Sequence, residues 1–189
     1  MSVCWNSANK RMDRKKKNIV ELTRMGCDQY RAMEKYPLAV LADNVRSMYN
    51  IGSLFRVSDA FKVSEIILTG ISGRPPHPEI SKTALGAEET VSWRWEEDSV
   101  ESVRRMQQAG WTVCVLEQTH NSIDLDDFTA EPGKKYLLVV GNEVNGVDQR
   151  IVDMADIVLE IPQYGTKHSL NVASSASIAI YSMIRKLEA

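Results

Sequence analysis

Residues 136–146 read Tyr-Leu-Leu-Val-Val-Gly-Asn-Glu-Val-Asn-Gly, and this stretch decides the fold class. Leu137, Leu138, Val139 and Val140 follow one another without a polar interruption. A strand that is apolar at successive positions is buried on both faces, as a central strand is in a parallel sheet covered by helices. The run stops at Gly141, and Asn142 and Glu143 follow at once. Taken alone, such residues form a polar turn before a helix. The carboxyl end of a parallel strand is also where open α/β sheets hold their ligands.

Outward from this strand the chain keeps alternating. Apolar, β-prone runs at 38–42, 65–69, 90–95, 111–117, 136–141 and 157–161 are separated by helix-like segments at 51–62, 98–109 and 148–155, with a last helix at about 169–187. This predicts an α/β fold with a mostly parallel sheet and helices on both faces. The turn-rich linker 72–78, Ser-Gly-Arg-Pro-Pro-His-Pro, reads as a mobile loop over the sheet edge. Residues 10–35 are charged and free of proline, with a thin apolar stripe of Ile19, Leu22, Gly26 and Met33. That pattern predicts a surface helix closed by the Tyr36-Pro37 step. The chain therefore divides into a basic helical N-terminal extension, 1–36, and one domain, 37–189.

A chain of 189 residues is long enough for one domain with a real core. The net charge of −2 gives no global sign of nucleic-acid binding, but the average hides a cluster. Lys10, Arg11, Arg14, Lys15, Lys16 and Lys17 are opposed only by Asp13. Cys4, Cys27 and Cys114 are odd in number and lack a Cys-x-x-Cys pair, which argues against a disulfide framework or a zinc site. His77, His120 and His168 have no metal-ligand spacing. No metal is expected. With no apolar run of membrane-spanning length and no signal core, the expectation is a cytoplasmic protein away from membranes.

Two further polar clusters lie where strands hand over to helices. Residues 44–56 read NVRSMYNIGSLFR. Ile51, Leu54, Phe55, Ser58 and Phe61 share one helical face, and Arg56 lies about 140° round from Ile51, off that face. The bland reading is that Asn50 caps the helix and Arg56 is solvated. Gly52 and Ser53 in the first turn would let a ligand approach the backbone. The third cluster, 161–177, runs from Ile161 through a glycine-containing loop to Ser169, a good N-cap, and Ser169-Leu170-Asn171-Val172-Ala173-Ser174. Ala173, Ala176, Ser177 and Ile180 set small residues on one face, suited to a close helix contact within the fold or across a two-fold dimer. Gly146 is followed by Val147-Asp148 rather than Lys-Ser/Thr, and no Gly-x-Gly-x-x-Gly occurs, so neither nucleotide fingerprint is present.

Together the three clusters resemble the SPOUT class of RNA methyltransferases, and within it the TrmH-like ribose 2′-O-methyltransferases, over about residues 37–186. The motifs are Asn50-x5-Arg56, Gly141-Asn142-Glu143 with Gly146, and Ser169 to Ser174. Lys82-Thr83-Ala84-Leu85-Gly86-Ala87 is similar to the segment linking them. The resemblance implies a C-terminal trefoil knot, S-adenosylmethionine as methyl donor, a homodimer, and structured tRNA or rRNA as substrate. It implies catalytic roles for Arg56, Asn50, Glu143, Ser169 and Asn171, with Asn50 and Glu143 holding Arg56. Leu116, Glu117, Gly141, Asn142, Ile161, Ser169 and Leu170 would contact the donor. Lys10, Arg11, Arg14, Lys15, Lys16, Lys17, Arg46 and Arg56 would grip RNA. Because an arginine is a poor general base, Arg56 is expected to orient the RNA and stabilise the developing alkoxide. Alternatives are methylation of a base by the same fold, a knotted RNA-binding assembly factor without catalysis, and a small-molecule nucleotide enzyme.

Overall fold

The structure of the protein is a computed structural model that describes residues 15–18, 21 and 25–189. Among the described residues the strands are β1 (Tyr36–Asp43), β2 (Val63–Thr69), β3 (Trp93–Glu96), β4 (Trp111–Leu116), β5 (Ile123–Asp124), β6 (Lys135–Val140) and β7 (Ile157–Glu160). The helices are α1 (Cys27–Ala32), α2 (Met48–Ala60), α3 (Pro78–Ala84), α4 (Ala87–Thr90), α5 (Ser99–Gln108), α6 (Gln149–Met154) and α7 (Val172–Leu187). The strands form one sheet in the order β3-β2-β1-β6-β4-β7-β5, and every pairing is parallel.

The central strands bury both faces, as their composition predicts. Leu38, Val40 and Ala42 of β1 and Tyr136, Leu138 and Val140 of β6 face one core, shared with α2, α3 and α7. Ala39, Leu41, Leu137 and Val139 face the other, with Val100, Val103 and Met106 of α5 and Ile151 of α6. The stripe of α2 is buried at Ile51, Leu54, Phe55 and Ser58, and α7 lays Ala176, Ala179, Ile180 and Met183 onto the same core. The small residues of α7 thus serve a contact within the fold, against α2. Gly52 completes the close packing on the other flank of α2. A Cβ there would collide with the Ile80 carbonyl and the Thr83 hydroxyl of α3, so the glycine serves helix packing rather than ligand approach.

The N-terminal extension differs from its expected form. Of the helix predicted over 10–35, only Cys27–Ala32 is helical among the described residues, and 15–18 carry no regular structure. The rest of that predicted helix, 10–14, 19–20 and 22–24, lies outside the described residues. Gly26, extended at φ −70° and ψ 155°, sets where the short helix starts. It docks through Tyr30, whose hydroxyl donates to the Asp59 carbonyl at 2.9 Å, and through Arg31, which donates to the Glu89 carbonyl. The linker 72–78 is anchored rather than loose at its start. Ser72 is buried, takes the Val45 amide proton at 2.8 Å and donates to the Ala42 carbonyl at 3.0 Å.

Cys114 stands in mid-β4 with burial pushing its thiol up to about 12, so it is a core residue and an unreactive thiol. No described helix is long and apolar enough to cross a membrane.

Candidate functional site

The three polar clusters converge at the carboxyl ends of β1, β6, β4 and β7. Asn171 caps α7, its Oδ1 accepting from the amides of Ala173 and Ser174. Its Nδ2 donates to Asn50 Oδ1 at 3.0 Å, and Asn50 Nδ2 donates to Glu143 Oε1 at 2.9 Å. The Glu143 carboxylate also accepts from the backbone amides of Arg46, at 3.0 Å, and Ser47, at 2.9 Å. One chain of hydrogen bonds therefore joins motif three to motif one and motif one to motif two.

Burial works against the Glu143 charge, but the amides of Arg46 and Ser47 and the Asn50 side chain outweigh it and hold its carboxyl below the ordinary value. A depressed folded value means that the stabilisation is complete above the unfolded value, about 4.3, and is lost as pH falls through the folded one. Glu143→Gln is expected to lower stability by about 1–2 kcal/mol at neutral pH, the weight of hydrogen bonds to one partly exposed charge. Urea unfolding should show the gap between variant and wild type closing as pH drops below about 4; a constant gap would refute the role.

A second carboxylate ties the same loops from inside. Asp43, 2% exposed at the end of β1, accepts from Asn44 Nδ2 at 2.8 Å, Ser99 Oγ at 2.6 Å and the Asp148 amide at 2.8 Å. Asn142 Nδ2 donates to the Asn44 carbonyl at 2.8 Å while its Oδ1 holds the Val144 and Asn145 amides. Asp43 lies outside the residues singled out by sequence. Its signal was a carboxylate ending an otherwise apolar strand.

These loops wall a cleft of about 510 Å³. Every residue expected at the methyl donor lines it: Leu116, Glu117, Gly141, Asn142, Ile161, Ser169 and Leu170. Glu143 and Asn171 line it too. Glu117 accepts from the Val147 amide at 3.1 Å, which ties the β4 end to the turn after β6. Sequence reasoning missed Gln118, Gln163 and Ser175, also at the cleft. Gln118 fastens the overlying loop by donating to the His168 carbonyl at 3.0 Å. A polar residue directly after an apolar strand was the available sign.

Several expected roles are reassigned. Ser47, not Asn50, caps α2, and Asn171, not Ser169, caps α7. The Asn50 side chain is spent on Glu143 and Asn171, while Ser169 is an exposed residue of the cleft wall. Arg56 is not held by Asn50 or Glu143. Six residues of helix turn Arg56 about 120° away from Asn50, and its exposed guanidinium makes no hydrogen bond or ion pair among the described residues. It lines a separate groove of about 400 Å³ with Ser53, Val57, Ala60, Lys82, Thr83 and Ser177. Arg46 is exposed, as are Lys15, Lys16 and Lys17. Lys10, Arg11 and Arg14 lie outside the described residues.

Fold and site define an α/β protein whose ligand cleft is built from strand-end loops rather than from a glycine-rich phosphate loop. Residues 37–181 match the SpoU rRNA Methylase family, and the chain belongs to that family. It is 28% identical over 168 residues to the 23S rRNA (guanosine-2'-O-)-methyltransferase RlmB of Vibrio vulnificus, covering 88% of this chain and 66% of the relative. It is 29% identical over 153 residues to the tRNA (guanosine(18)-2'-O)-methyltransferase of Aquifex aeolicus, covering 80% of this chain and 70% of the relative. Among solved structures, the AdoMet-bound rRNA methyltransferase of Sinorhizobium meliloti superposes with a TM-score of 0.74 at 26% identity, covering 82% of this chain and 59% of that one. The chain thus spans about two thirds or less of the length of the first relatives it matches.

Proposed function

We propose that this protein transfers a methyl group from S-adenosylmethionine to a ribose 2′-hydroxyl of tRNA or rRNA. The observation that carries the reading is the hydrogen-bond chain Asn171–Asn50–Glu143, which gathers all three motifs at one cleft. The cleft fits the donor on its own chemistry. Its volume is that of a small-ligand site, and Leu116, Leu159, Ile161 and Val172 give it apolar walls between polar loops. The donor supplies an electrophilic methyl carbon on a sulfonium. The residues of the chain supply positioning, chiefly through rigid strand ends. The 2′-hydroxyl that accepts the methyl group would shed its proton to solvent or to a neighbouring phosphate, and this chain's residues would hold it in line with the donor. Arg56 would stabilise the negative charge on that oxygen beforehand.

Arg56 does not line the cleft of its own chain. A second copy packed on the α2–α7 face is the way to bring a guanidinium to it, which supports a homodimer. That face exposes Tyr49, Ile178 and Tyr181. A trefoil knot in the C-terminal part and a basic RNA-gripping extension, 1–36, on the domain 37–189 complete the reading, with the protein in the cytoplasm alongside its RNA.

The direct test is incubation with labelled S-adenosylmethionine and total RNA, then digestion to nucleosides. Label is expected on 2′-O-methylated nucleosides. Label on a base would assign the chemistry to the alternative branch of the fold, and no label with any RNA would favour the non-catalytic assembly factor.

A further inference from the structure

Nine arginines stand among the described residues, and six of them are neutralised. Arg31, Arg94, Arg104, Arg105, Arg150 and Arg185 each meet a carboxylate. Arg46, Arg56 and Arg74 do not. Carboxylates are not scarce, since Asp and Glu number 25 against 23 Lys and Arg. The three unpaired guanidiniums also belong to one region. Arg46 sits in the loop that enters α2, Arg56 on α2, and Arg74 in the loop after β2. That second loop is tied to the first. The Ile71 amide donates to Asn44 Oδ1 at 3.1 Å, the Val45 amide donates to Ser72 Oγ at 2.8 Å, and Gly73 lies against the Met48 side chain.

Arg74 has a partner of another kind. Its guanidinium lies over the Trp95 ring, 4.5 Å from the centroid. The ring is fixed in turn by its own Nε1, which donates to the Gly70 carbonyl at 3.0 Å, and it remains 37% exposed. Ile71 beside it is 63% exposed. A charged, planar group laid on an aromatic and left without a counter-ion offers a stacking plane and an anion-binding edge together. Unpaired nucleotides present that combination: a flat base and a phosphate. An acidic peptide would use the charge but not the plane. β3 lies two strands from β1, about 10 Å in a sheet, so the seat is close to the loop that Glu143 holds.

We propose that Arg74 and Trp95 form a stacking seat for an unpaired RNA base next to the nucleotide being modified, a deepening of the RNA methyltransferase reading on which it rests. Through this seat the enzyme selects looped or single-stranded RNA over duplex, because a base inside a duplex cannot reach the plane.

The test uses the full chain, a short fluorescent single-stranded RNA and the blunt duplex of the same sequence. Trp95→Leu is expected to weaken single-strand binding about tenfold, the weight of one stacked base, and to leave duplex binding and the salt slope unchanged. Arg74→Ala should weaken single-strand binding similarly and lower the log–log salt slope by about one. Trp95→Phe keeps a ring and should restore most of the affinity even if Trp95→Leu fails to fold. Single-strand binding at wild-type strength in Arg74→Ala, or in a folded Trp95→Leu, would overturn the seat. So would equal losses for single strand and duplex, or no single-strand binding by the wild type. Failure of the wild type to methylate RNA would instead strike the catalytic reading, because these assays read binding alone.

Discussion

Arg56→Ala is expected to lower methyl transfer to RNA by about 10²–10³-fold, the usual loss when one preorganised charge is removed from a developing oxyanion. Affinity for S-adenosylmethionine should stay at the wild-type value, because Arg56 lies in a groove separate from the cleft. Calorimetry with the donor and single-turnover transfer to RNA separate the two effects. Stability should be unaffected, since the side chain is exposed and makes no bond among the described residues that its loss would break. A further consequence tests how the site is assembled. If Arg56 serves the cleft of a second copy, mixing Arg56→Ala with a variant whose cleft is closed should restore part of the activity. Each parent alone should remain inactive. Wild-type rates in Arg56→Ala would remove the arginine from the mechanism.

Gly141→Ala supplies the closed cleft and is the second large effect. A Cβ at position 141 would fall on the backbone of Gly146 and Val147. Those atoms cannot withdraw freely, because Asn142 and Gly146 exchange two backbone hydrogen bonds, at 2.9 and 3.0 Å. The turn must open, and Glu117 then loses its bond from the Val147 amide. The variant should lose about 1–3 kcal/mol of stability, as overpacked sites do, and bind S-adenosylmethionine at least about 100-fold more weakly, since a displacement of about 1 Å at a preorganised site costs that much. Gly165→Ala is the control. Nothing lies within 4 Å of a Cβ added there, so its melting temperature should not move. Unchanged donor affinity in Gly141→Ala would show that the cleft is not the donor site.

The sheet was legible because burial on two faces leaves a mark that composition can carry: Leu137 to Val140, short, ending in two valines and stopped by Gly141, read as a covered strand. The helix caps were less legible. Asn50 and Ser169 are both good caps by residue type, yet Ser47 and Asn171 take those positions. Sequence cannot tell which of several short polar side chains a helix start will use. That choice is decided by partners far along the chain, such as Glu143, 93 residues from Asn50. The helix predicted over 10–35 is interrupted among the described residues, at 15–18 and at 25–26, for a different reason. Periodicity gives the direction a helix would face, not whether enough surface is buried to hold it. The short helices α3 and α4 were also missed, although Pro78 at the first turn of α3 and the His77 cap were in view. The gathering of the three motifs was legible only through the family resemblance, since nothing in their spacing fixes a distance.

The carboxylate of Asp43 has a bearing on how ligands come and go. Its bonds to Asn44 and Asp148 sit inside the protein, and Glu143 fastens the same two loops from outside. Swinging either loop aside would strand a buried negative charge without its donors, so neither can act as a lid. The loop 164–171, which brings Ser169, Leu170 and Asn171 to the cleft, is exposed throughout and is held by side-chain bonds at Gln118 and Asn171. The cleft therefore has one side locked by buried charge and one side, leading into α7, that is held by exposed side chains alone.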